Sequence, residues 1–309
     1  IEPRSQGNST LSAATINTPR DVCNITSWRL ETKFQNKDTM PKAIFVGATS
    51  GIGKELALQL LAKGWELGIA ADAPASQEIK TKAPEKIHTR RIDVRSDDAA
   101  SDLLALIADL GGMDLYVHCS GIGCQNIDLN PSAELNTVAT NVDGFVRLVD
   151  CAFSYFLGKG GGHLCIISSI AGTKGLGAAS AYSASKAFQN TYLDALEQLS
   201  VMRKCPITFT DVRPGFVDTD LLADGKSYSF KMNVTNVASP IVKGIETKKR
   251  VLVIDWKYKL LVFFWRLVPQ RLWKFFSIKA KRGTKRYFRL TASVEDYRKT
   301  PSLLFSLQA

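Results

Sequence analysis

Short apolar runs and helical segments alternate along the chain from residue 42 to about residue 254. The run Ala43–Gly47 is short and continuous, a pattern typical of a strand that is buried on both faces. The segment Lys54–Lys63 instead carries apolar residues at helical spacing, and Gly64 follows it as a C-terminal stop. This alternation predicts right-handed βαβ units and a parallel sheet that is covered by helices on both faces.

The rest of this region continues the pattern and predicts a single, doubly wound, Rossmann-like α/β domain. Further strands are expected at residues 66–71, 86–92, 115–119, 163–168, 207–212 and 250–254. Further helices are expected at about 97–110, in a long segment that ends near residue 157, and at about 181–202. Residues 221–237 are expected to form a loop that helps to shape a substrate pocket.

Composition divides the chain into three parts. Residues 1–40 are rich in Ser, Thr, Asn and Gln and lack periodicity, so we expect a disordered tail or a non-native segment. Residues 41–255 carry the α/β pattern and are expected to form a nucleotide-binding domain. Residues 256–309 are expected to form a basic, amphipathic helical extension.

The overall composition excludes several classes of protein. The 309 residues are 45% hydrophobic and 22% charged, which does not fit a fully disordered chain, a collagen or a disulfide scaffold. No window approaches 18 uninterrupted apolar residues, so a conventional membrane span is not expected. The six cysteines show no CxxC spacing, so we expect free thiols, a reducing cytoplasmic compartment and no metal site.

The positive charge of the chain is confined to its C-terminal part. Residues 243–299 carry 17 basic and 4 acidic side chains, whereas the whole chain has a net charge of +11. Because the basic stretch has no recognisable nucleic-acid module, we expect no nucleic-acid partner. Tryptophans and other aromatic residues between basic ones indicate either peripheral membrane contact through residues 256–289 or helices that pack over a substrate cleft or a dimer partner.

A glycine-rich segment lies between the first predicted strand and the first predicted helix. Its GxxxGxG spacing provides a tight turn, close approach of the backbone to a pyrophosphate, and free N–H groups at a helix N-terminus. We therefore predict dinucleotide binding, the alternative being a glycine-rich turn without a ligand. The residues predicted to contact the cofactor here are Gly47, Thr49, Ser50, Gly51, Ile52 and Gly53.

Asp72 ends the second predicted strand, 19 residues after Gly53. A carboxylate at this place accepts hydrogen bonds from the adenosine ribose and repels a 2′-phosphate. No Lys or Arg adjoins Asp72, and Ser50 is uncharged, so we predict NAD as the cofactor with NADP as the alternative. In a purely structural role, Asp72 would cap the segment Ala73–Ala75.

Tyr182 and Lys186 are four residues apart on a predicted helix, so their side chains share a face. A lysine ammonium favours the phenolate and is expected to lower the pKa of the tyrosine towards neutrality. Tyr155 and Lys159 have the same spacing, but the residue thirteen positions before Tyr155 is a valine. The residue thirteen positions before Tyr182 is Ser169, which carries a hydroxyl group.

In this order the motifs resemble the short-chain dehydrogenase/reductase family over about residues 41–255. Besides the glycine turn and the Ser–Tyr–Lys set, the resemblance rests on the Asp-Val pair at 93–94, the segment 118–121 and Asn141, followed by the segment 214–219. It implies that Tyr182 is the general acid/base, that Lys186 lowers its pKa and holds the nicotinamide ribose, and that Ser169 orients the substrate oxygen. Asn141 would hold a water molecule in a proton relay.

The resemblance also implies further cofactor contacts. Asp93 and Val94 would contact the adenine, Ser120 and Gly121 the ribose side of the cofactor, and Thr219 the carboxamide or the phosphates. The other residues expected to contact the cofactor in the last motif are Pro214, Gly215 and Val217. In a purely structural role, Tyr182 would be a surface residue, Ser169 would end a strand, and Asn141 would lie inside a helix.

Two positions depart from the family pattern. His118 stands where the family often has an asparagine that braces the central strands, and we expect it to fill that space rather than to catalyse. Asp72 stands where closer relatives tend to carry arginine.

The resemblance implies reversible hydride transfer between a nicotinamide cofactor and a secondary alcohol or ketone. The expected partners are a small-molecule substrate and a second copy of the chain. The alternatives are a membrane-associated reductase of lipid ketones and a dinucleotide sensor without enzymatic activity.

Overall fold

The computed structural model describes residues 40–70, 79–219, 226–227, 231–276, 278 and 281–282. Asp72 and residues 1–39 lie outside the described residues. The same is true of almost all of the extension beyond residue 276.

Seven parallel strands form one sheet. They are β1 (Lys42–Val46), β2 (Glu66–Ala70), β3 (Ile87–Arg90), β4 (Leu115–His118), β5 (Gly162–Ile167), β6 (Ile207–Arg213) and β8 (Val251–Val253). Their order is β3-β2-β1-β4-β5-β6-β8, so the direction of winding reverses between β1 and β4. In such a sheet, ligands bind at the carboxyl ends of the strands beside the reversal.

Helices cover both faces of this sheet. In chain order they are α1 (Gly51–Ala62), α2 (Ala99–Leu110), α3 (Pro131–Val138), α4 (Gly144–Lys159), α5 (Ser180–Met202), α6 (Val234–Glu246), α7 (Trp256–Leu267) and α8 (Gln270–Trp273). The two-residue strands β7 (Lys226–Ser227) and β9 (Lys281–Arg282) pair antiparallel. No helix in the described ranges combines the length and the apolarity that a membrane crossing needs.

Alternation along β1 explains why the sheet has two cores. Ile44 and Val46 belong to the core under α2, α4 and α5, whereas Ala43 and Phe45 belong to the core under α1 and α6. Since successive side chains of a strand point to opposite faces, a continuous apolar run supplies both cores. The prediction of a doubly wound α/β fold is confirmed.

The structure corrects the prediction at two helices. Helix α6 was not expected, although Val237, Ile241 and Ile245 recur at helical spacing and are buried. Pro240 lies inside it and masked the pattern, because proline usually ends a helix. The long helix predicted to end near residue 157 is divided into α3 and α4 by a π-helical turn, Ala139–Asp143.

Candidate active site

The glycine turn packs directly against the backbone that follows β4. A Cβ atom on Gly47, whose φ is +84°, would lie 2.6 Å from the backbone nitrogen of Ser120. A Cβ on Gly53 would lie 2.2 Å from the carbonyl oxygen of Gly47. Because neither position has room for a side chain, the backbone of the turn stays open at the carboxyl edge of the sheet.

Helix α1 begins directly within this glycine turn. Ser50 precedes the helix without a side-chain capping bond, and the first helical bond runs from Lys54 N to Ser50 O at 3.2 Å. The first-turn N–H groups of a helix have no partner inside it and carry its positive dipole end. Thr219 borders this turn, since a Cβ on Gly51 would lie 2.9 Å from Thr219 Cγ2. The structure thus brings the first and last predicted cofactor motifs together.

Lys186 lies on α5 with its ammonium group under the end of β5. Its Nζ donates to the carbonyl oxygen of Ile167 at 3.1 Å and to Gln189 Oε1 at 3.0 Å. Only 4% of the residue is exposed, and this burial lowers the pKa of Lys186 to about 8, while the negative charge of Asp211 opposes the change. The amine is therefore close to its titration point near neutral pH.

Tyr182 lies on α5 between Lys186 and Gly123. Lys186 Nζ is 5.8 Å from the ring centroid, and a Cβ on Gly123 would lie 2.2 Å from Cδ2 of the ring. Burial raises the pKa of the Tyr182 phenol, and the Ser169 side chain lowers it. The net direction of this pKa shift is opposite to the expectation from the sequence. The reason is that burial removes the hydration of the phenolate, and burial also disfavours the charged form of Lys186.

Ser169 follows β5 and begins a 3₁₀ turn, Ile170–Thr173, in which its Oγ accepts from Ala171 N at 3.1 Å. The neighbouring Ser168 hydroxyl donates to Asp211 Oδ1. Of these two serines, Ser169 is therefore the one associated with Tyr182, as the spacing of the sequence predicts.

Asn141 lies in the π-helical turn and is completely buried. Its Nδ2 donates to the carbonyl of Ile122 at 2.7 Å and to Ser185 Oγ at 3.0 Å, while its Oδ1 accepts from Ile122 N at 2.8 Å. The side chain thus holds the strand-end segment in place. A Cβ on Gly121 would lie 3.3 Å from both Asn141 Oδ1 and Lys186 Nζ, so this glycine lets the segment approach both groups.

His118 is buried at the end of β4, where its Nδ1 shares a hydrogen bond with the Tyr116 hydroxyl at 3.0 Å. Its ring meets Phe145 edge-on with centroids 5.2 Å apart. Burial lowers the pKa of His118 to about 3. The ring is therefore neutral at pH 7 and packed between aromatic side chains, which fits a bracing role.

The Asp-Val pair at 93–94 lies beyond β3. Asp93 accepts from the backbone nitrogen of Arg95 at 3.0 Å and forms an ion pair with its guanidinium at 3.1 Å, which lowers the pKa of the Asp93 carboxyl. Val94 is buried, and its carbonyl oxygen lies 2.7 Å from the position of a Cβ on Gly144, so it packs against the start of α4.

The segment after β6 has two different roles. The carbonyl of Pro214 accepts from Ile170 N at 3.0 Å and joins this segment to the 3₁₀ turn after Ser169. Val217 is buried and bridges to Met232. Gly215 packs against the ring of Tyr258, where a Cβ would lie 2.2 Å from Cζ. The packing of helix α7 therefore requires a glycine at this position, and the contact of Gly215 with the cofactor stays a prediction.

Several residues of the site were missed at the level of sequence. Gly123 supports the ring of Tyr182, and Gln189 joins Lys186 to Asn141. Asp211 and Arg213 form a buried ion pair beneath Lys186. Two features of the sequence could have indicated these residues. Asp211 and Arg213 are charged although they lie at a predicted strand, and Gln189 follows Lys186 by three positions. Within the described ranges, no cluster of three His, Cys, Asp or Glu residues is arranged to hold a metal ion.

Comparisons with known proteins show which sequences and folds this chain is similar to. The family model described as short chain dehydrogenase matches residues 41–227. An uncharacterised oxidoreductase of Mycobacterium tuberculosis (strain ATCC 25618 / H37Rv) is 28% identical over an alignment of 251 positions, which covers 77% of this chain and 98% of that protein.

Two solved structures have the same fold. A short-chain type dehydrogenase/reductase from Mycobacterium ulcerans superposes with a TM-score of 0.62 and 24% identity over 71% of this chain and 90% of its own. A 3-ketoacyl-(acyl-carrier-protein) reductase from Brucella melitensis, complexed with NADH, gives a TM-score of 0.62 and 19% identity over 70% of this chain and 96% of its own.

Proposed function

This chain belongs to the short-chain dehydrogenase/reductase family, and from that premise we propose that it transfers a hydride reversibly between a nicotinamide cofactor and a secondary alcohol or ketone. The observation that carries the proposal is the position of Tyr182, between the Ser169 hydroxyl and the Lys186 ammonium group. These three side chains meet at the carboxyl edge of the sheet, where the winding reverses.

The residues present fit a dinucleotide. At Gly47, Gly51 and Gly53 the turn has no side chain between the backbone and a ligand, and the N-terminus of α1 suits a pyrophosphate. Thr219 borders that turn. Lys186 uses two of its three N–H groups on protein oxygens, so the third serves the hydroxyls of a ribose. When bound, the nicotinamide ring supplies or accepts the hydride.

The protein groups handle the proton and the substrate oxygen. Because burial raises the pKa of the Tyr182 phenol, the tyrosine is protonated at neutral pH and suited to donate to the oxygen of a ketone. Ser169 orients that oxygen with its hydroxyl. The nearby Lys186 ammonium stabilises the phenolate that forms when Tyr182 gives up its proton.

We further propose NAD as the cofactor, with NADP as the alternative. The support comes from Asp72 in the sequence, which lies outside the described residues. A titration with NADH and NADPH, followed by intrinsic fluorescence, measures the preference in the unmodified chain and in Asp72→Ala. A preference for NADH that disappears in Asp72→Ala supports the assignment, and a preference for NADPH overturns it.

Turnover is tested with a panel of alcohols and ketones. We expect Tyr182→Phe to lower kcat by about 10³-fold or more, since it removes the proton donor, while leaving cofactor affinity nearly unchanged. Tyr155→Phe is the matched control, because Tyr155 has the same spacing to a lysine but its hydroxyl accepts from Met113 N. If the unmodified chain binds the cofactor but shows no turnover, the result would instead favour a dinucleotide sensor without enzymatic activity.

Helices α7 and α8 add a second candidate property, peripheral membrane contact. One surface of these helices and of the residues directly after α8, the C-terminal apolar surface, is exposed and consists of Trp256, Leu260, Phe263, Phe264, Leu267, Leu272, Phe275 and Phe276. Exposed basic residues lie among them, namely Lys257, Lys259, Arg266, Arg271 and Lys274. Residues 256–276 contain no acidic side chain. Aromatic and basic residues without acidic ones complement an anionic lipid interface.

Sedimentation with phosphatidylcholine vesicles, with and without phosphatidylglycerol, tests this contact. Phe263→Ser/Phe264→Ser removes two exposed aromatic rings and is expected to weaken binding to the anionic vesicles several-fold. Val201→Ser/Met202→Ser is the matched control, because both residues are also exposed and apolar but lie at the end of α5. If the phenylalanine variant instead loses self-association in ultracentrifugation, the surface binds a second copy of the chain.

A further inference from the structure

Gln189 lies on helix α5 and is buried against the π-helical turn. Its Oε1 accepts from Lys186 Nζ at 3.0 Å, and its Nε2 donates to the carbonyl oxygen of Asn141 at 2.9 Å. Only 1% of the residue is exposed. A single side-chain amide thus joins two residues that are 45 positions apart in the sequence.

The chemistry of its neighbours permits only one orientation of this amide. An ammonium group offers donors alone, so it must face the amide oxygen. A carbonyl oxygen accepts only, so it must face the amide nitrogen. The position of the Lys186 ammonium is therefore coupled to the backbone of the π-helical turn.

We propose that Gln189 is a positioning residue for the proposed hydride transfer. It holds the Lys186 ammonium beside Tyr182 and connects it to the turn that carries Asn141. This inference rests on the proposed function, because Gln189 acts through Lys186. An amide gives up no proton near neutral pH, so the connection to Asn141 fixes position and does not conduct protons.

The amide also favours the charged form of Lys186, since a hydrogen bond to a charged group stabilises that form. Burial lowers the pKa of Lys186 and so opposes its charged form, whereas the negative charge of Asp211 on β6 favours that form. His118 on β4 is neutral at pH 7, and burial raises the pKa of the Cys119 thiol to about 12, so both are uncharged. Tyr182 on α5 is also protonated at this pH. Loss of Gln189 therefore leaves the carbonyl oxygen of Ile167 to accept from the Lys186 ammonium and the negative charge of Asp211 to favour its charged form.

The test compares Gln189→Met and Gln189→Glu with the unmodified chain. Gln189→Met keeps the volume but removes the acceptor, whereas Gln189→Glu restores an acceptor that carries a negative charge. Gln198→Met is the control for the same exchange on an exposed position of α5. The Lys186 resonance is assigned in protein with ¹⁵N-labelled lysine by its loss in Lys186→Met, and its pKa is measured by titration without cofactor.

We expect the pKa of Lys186 to fall by about one unit in Gln189→Met and to rise in Gln189→Glu. The alkaline limb of the pH profile of kcat is expected to shift in the same directions as this pKa. Gln198→Met is expected to change neither the pKa nor the profile. An unchanged Lys186 pKa in a folded Gln189→Met protein overturns the proposal. Absence of turnover in the unmodified chain overturns the proposed function instead, and the titration still decides whether Gln189 acts on Lys186.

Discussion

The ring of Tyr182 lies so close to Gly123 that a Cβ on the glycine would be 2.2 Å from Cδ2 of the tyrosine. The contact joins the segment after β4 to helix α5 at the point where the reacting oxygen is expected. Gly123 thus limits how far the ring of Tyr182 can move towards the segment after β4.

Gly123→Ala is expected to lower kcat by about 10- to 100-fold, because the added methyl group displaces the tyrosine ring and small displacements of catalytic groups are costly. Cofactor affinity, measured by fluorescence, is expected to change little. Gly158→Ala is the matched control, since a Cβ at that exposed helix position meets nothing within 4 Å. Equal kcat values for the two variants would contradict the positioning role of Gly123.

Gly51 and Thr219 are expected to be coupled in cofactor binding. A Cβ on Gly51 would lie 2.9 Å from Thr219 Cγ2, and the φ of Gly51 is +54°. Gly51→Ala should therefore weaken cofactor binding by about 10-fold or more. Thr219→Ser removes the clashing methyl group, so the double variant should recover part of the loss. Strictly additive effects on the dissociation constant would show that the two residues are independent.

The depressed pKa of Lys186 predicts how stability depends on pH. Its pKa is lowered from 10.5 to about 8, so between these values the folded chain binds fewer protons than the unfolded chain. The contribution of this group to stability therefore rises with pH in that window, and its destabilising effect is fully present below about pH 8. As the pH rises through that window, the unmodified chain should gain about 3 kcal/mol of unfolding free energy that Lys186→Met does not gain. Urea denaturation at several pH values measures the difference in unfolding free energy between the two chains. This difference stays constant with pH if the pKa of Lys186 is not lowered.

The buried pair Asp211–Arg213 is expected to make a large contribution to folding. Arg213 Nε donates to Asp211 Oδ2 at 2.7 Å, and the Asp211 side chain is fully buried. Asp211→Asn leaves a buried guanidinium without its counter-charge and should cost about 3–5 kcal/mol. Asp97→Asn, in the exposed pair with Arg147, should cost about 1 kcal/mol or less. Comparable losses in urea denaturation would contradict the assignment.

Tyr258 is expected to attach helix α7 to the loop after β6. Its hydroxyl oxygen accepts from Phe216 N at 3.1 Å, and its ring covers Gly215. Tyr258→Phe should cost about 1 kcal/mol through the lost hydrogen bond. Tyr258→Ala should cost about 3–5 kcal/mol, because it also leaves a cavity. If both substitutions cost the same in urea denaturation, the ring contact with Gly215 contributes nothing.

Local features made most of the fold predictable. The apolar run of β1, the helical spacing in α1 and the glycine turn between them each depend on neighbouring residues, and their positions agree with the structure within three residues. The parallel sheet covered on both faces followed from the alternation of elements and the handedness of βαβ units, whereas the order of its strands came from the structure. The boundary between α3 and α4 could not be predicted, because a π-helical turn leaves no periodic signal in the sequence.

The sequence by itself determined the doubly wound sheet, the glycine turn and the spacing of Ser169, Tyr182 and Lys186, because these depend on residue type and short-range order. Only the tertiary structure decided what surrounds them. The contacts of Gly123 with Tyr182, and of Gln189 with Asn141, join segments that are far apart in the chain. The direction of the Tyr182 pKa shift was also decided there, since burial, which no local pattern encodes, outweighs the attraction of a nearby cation.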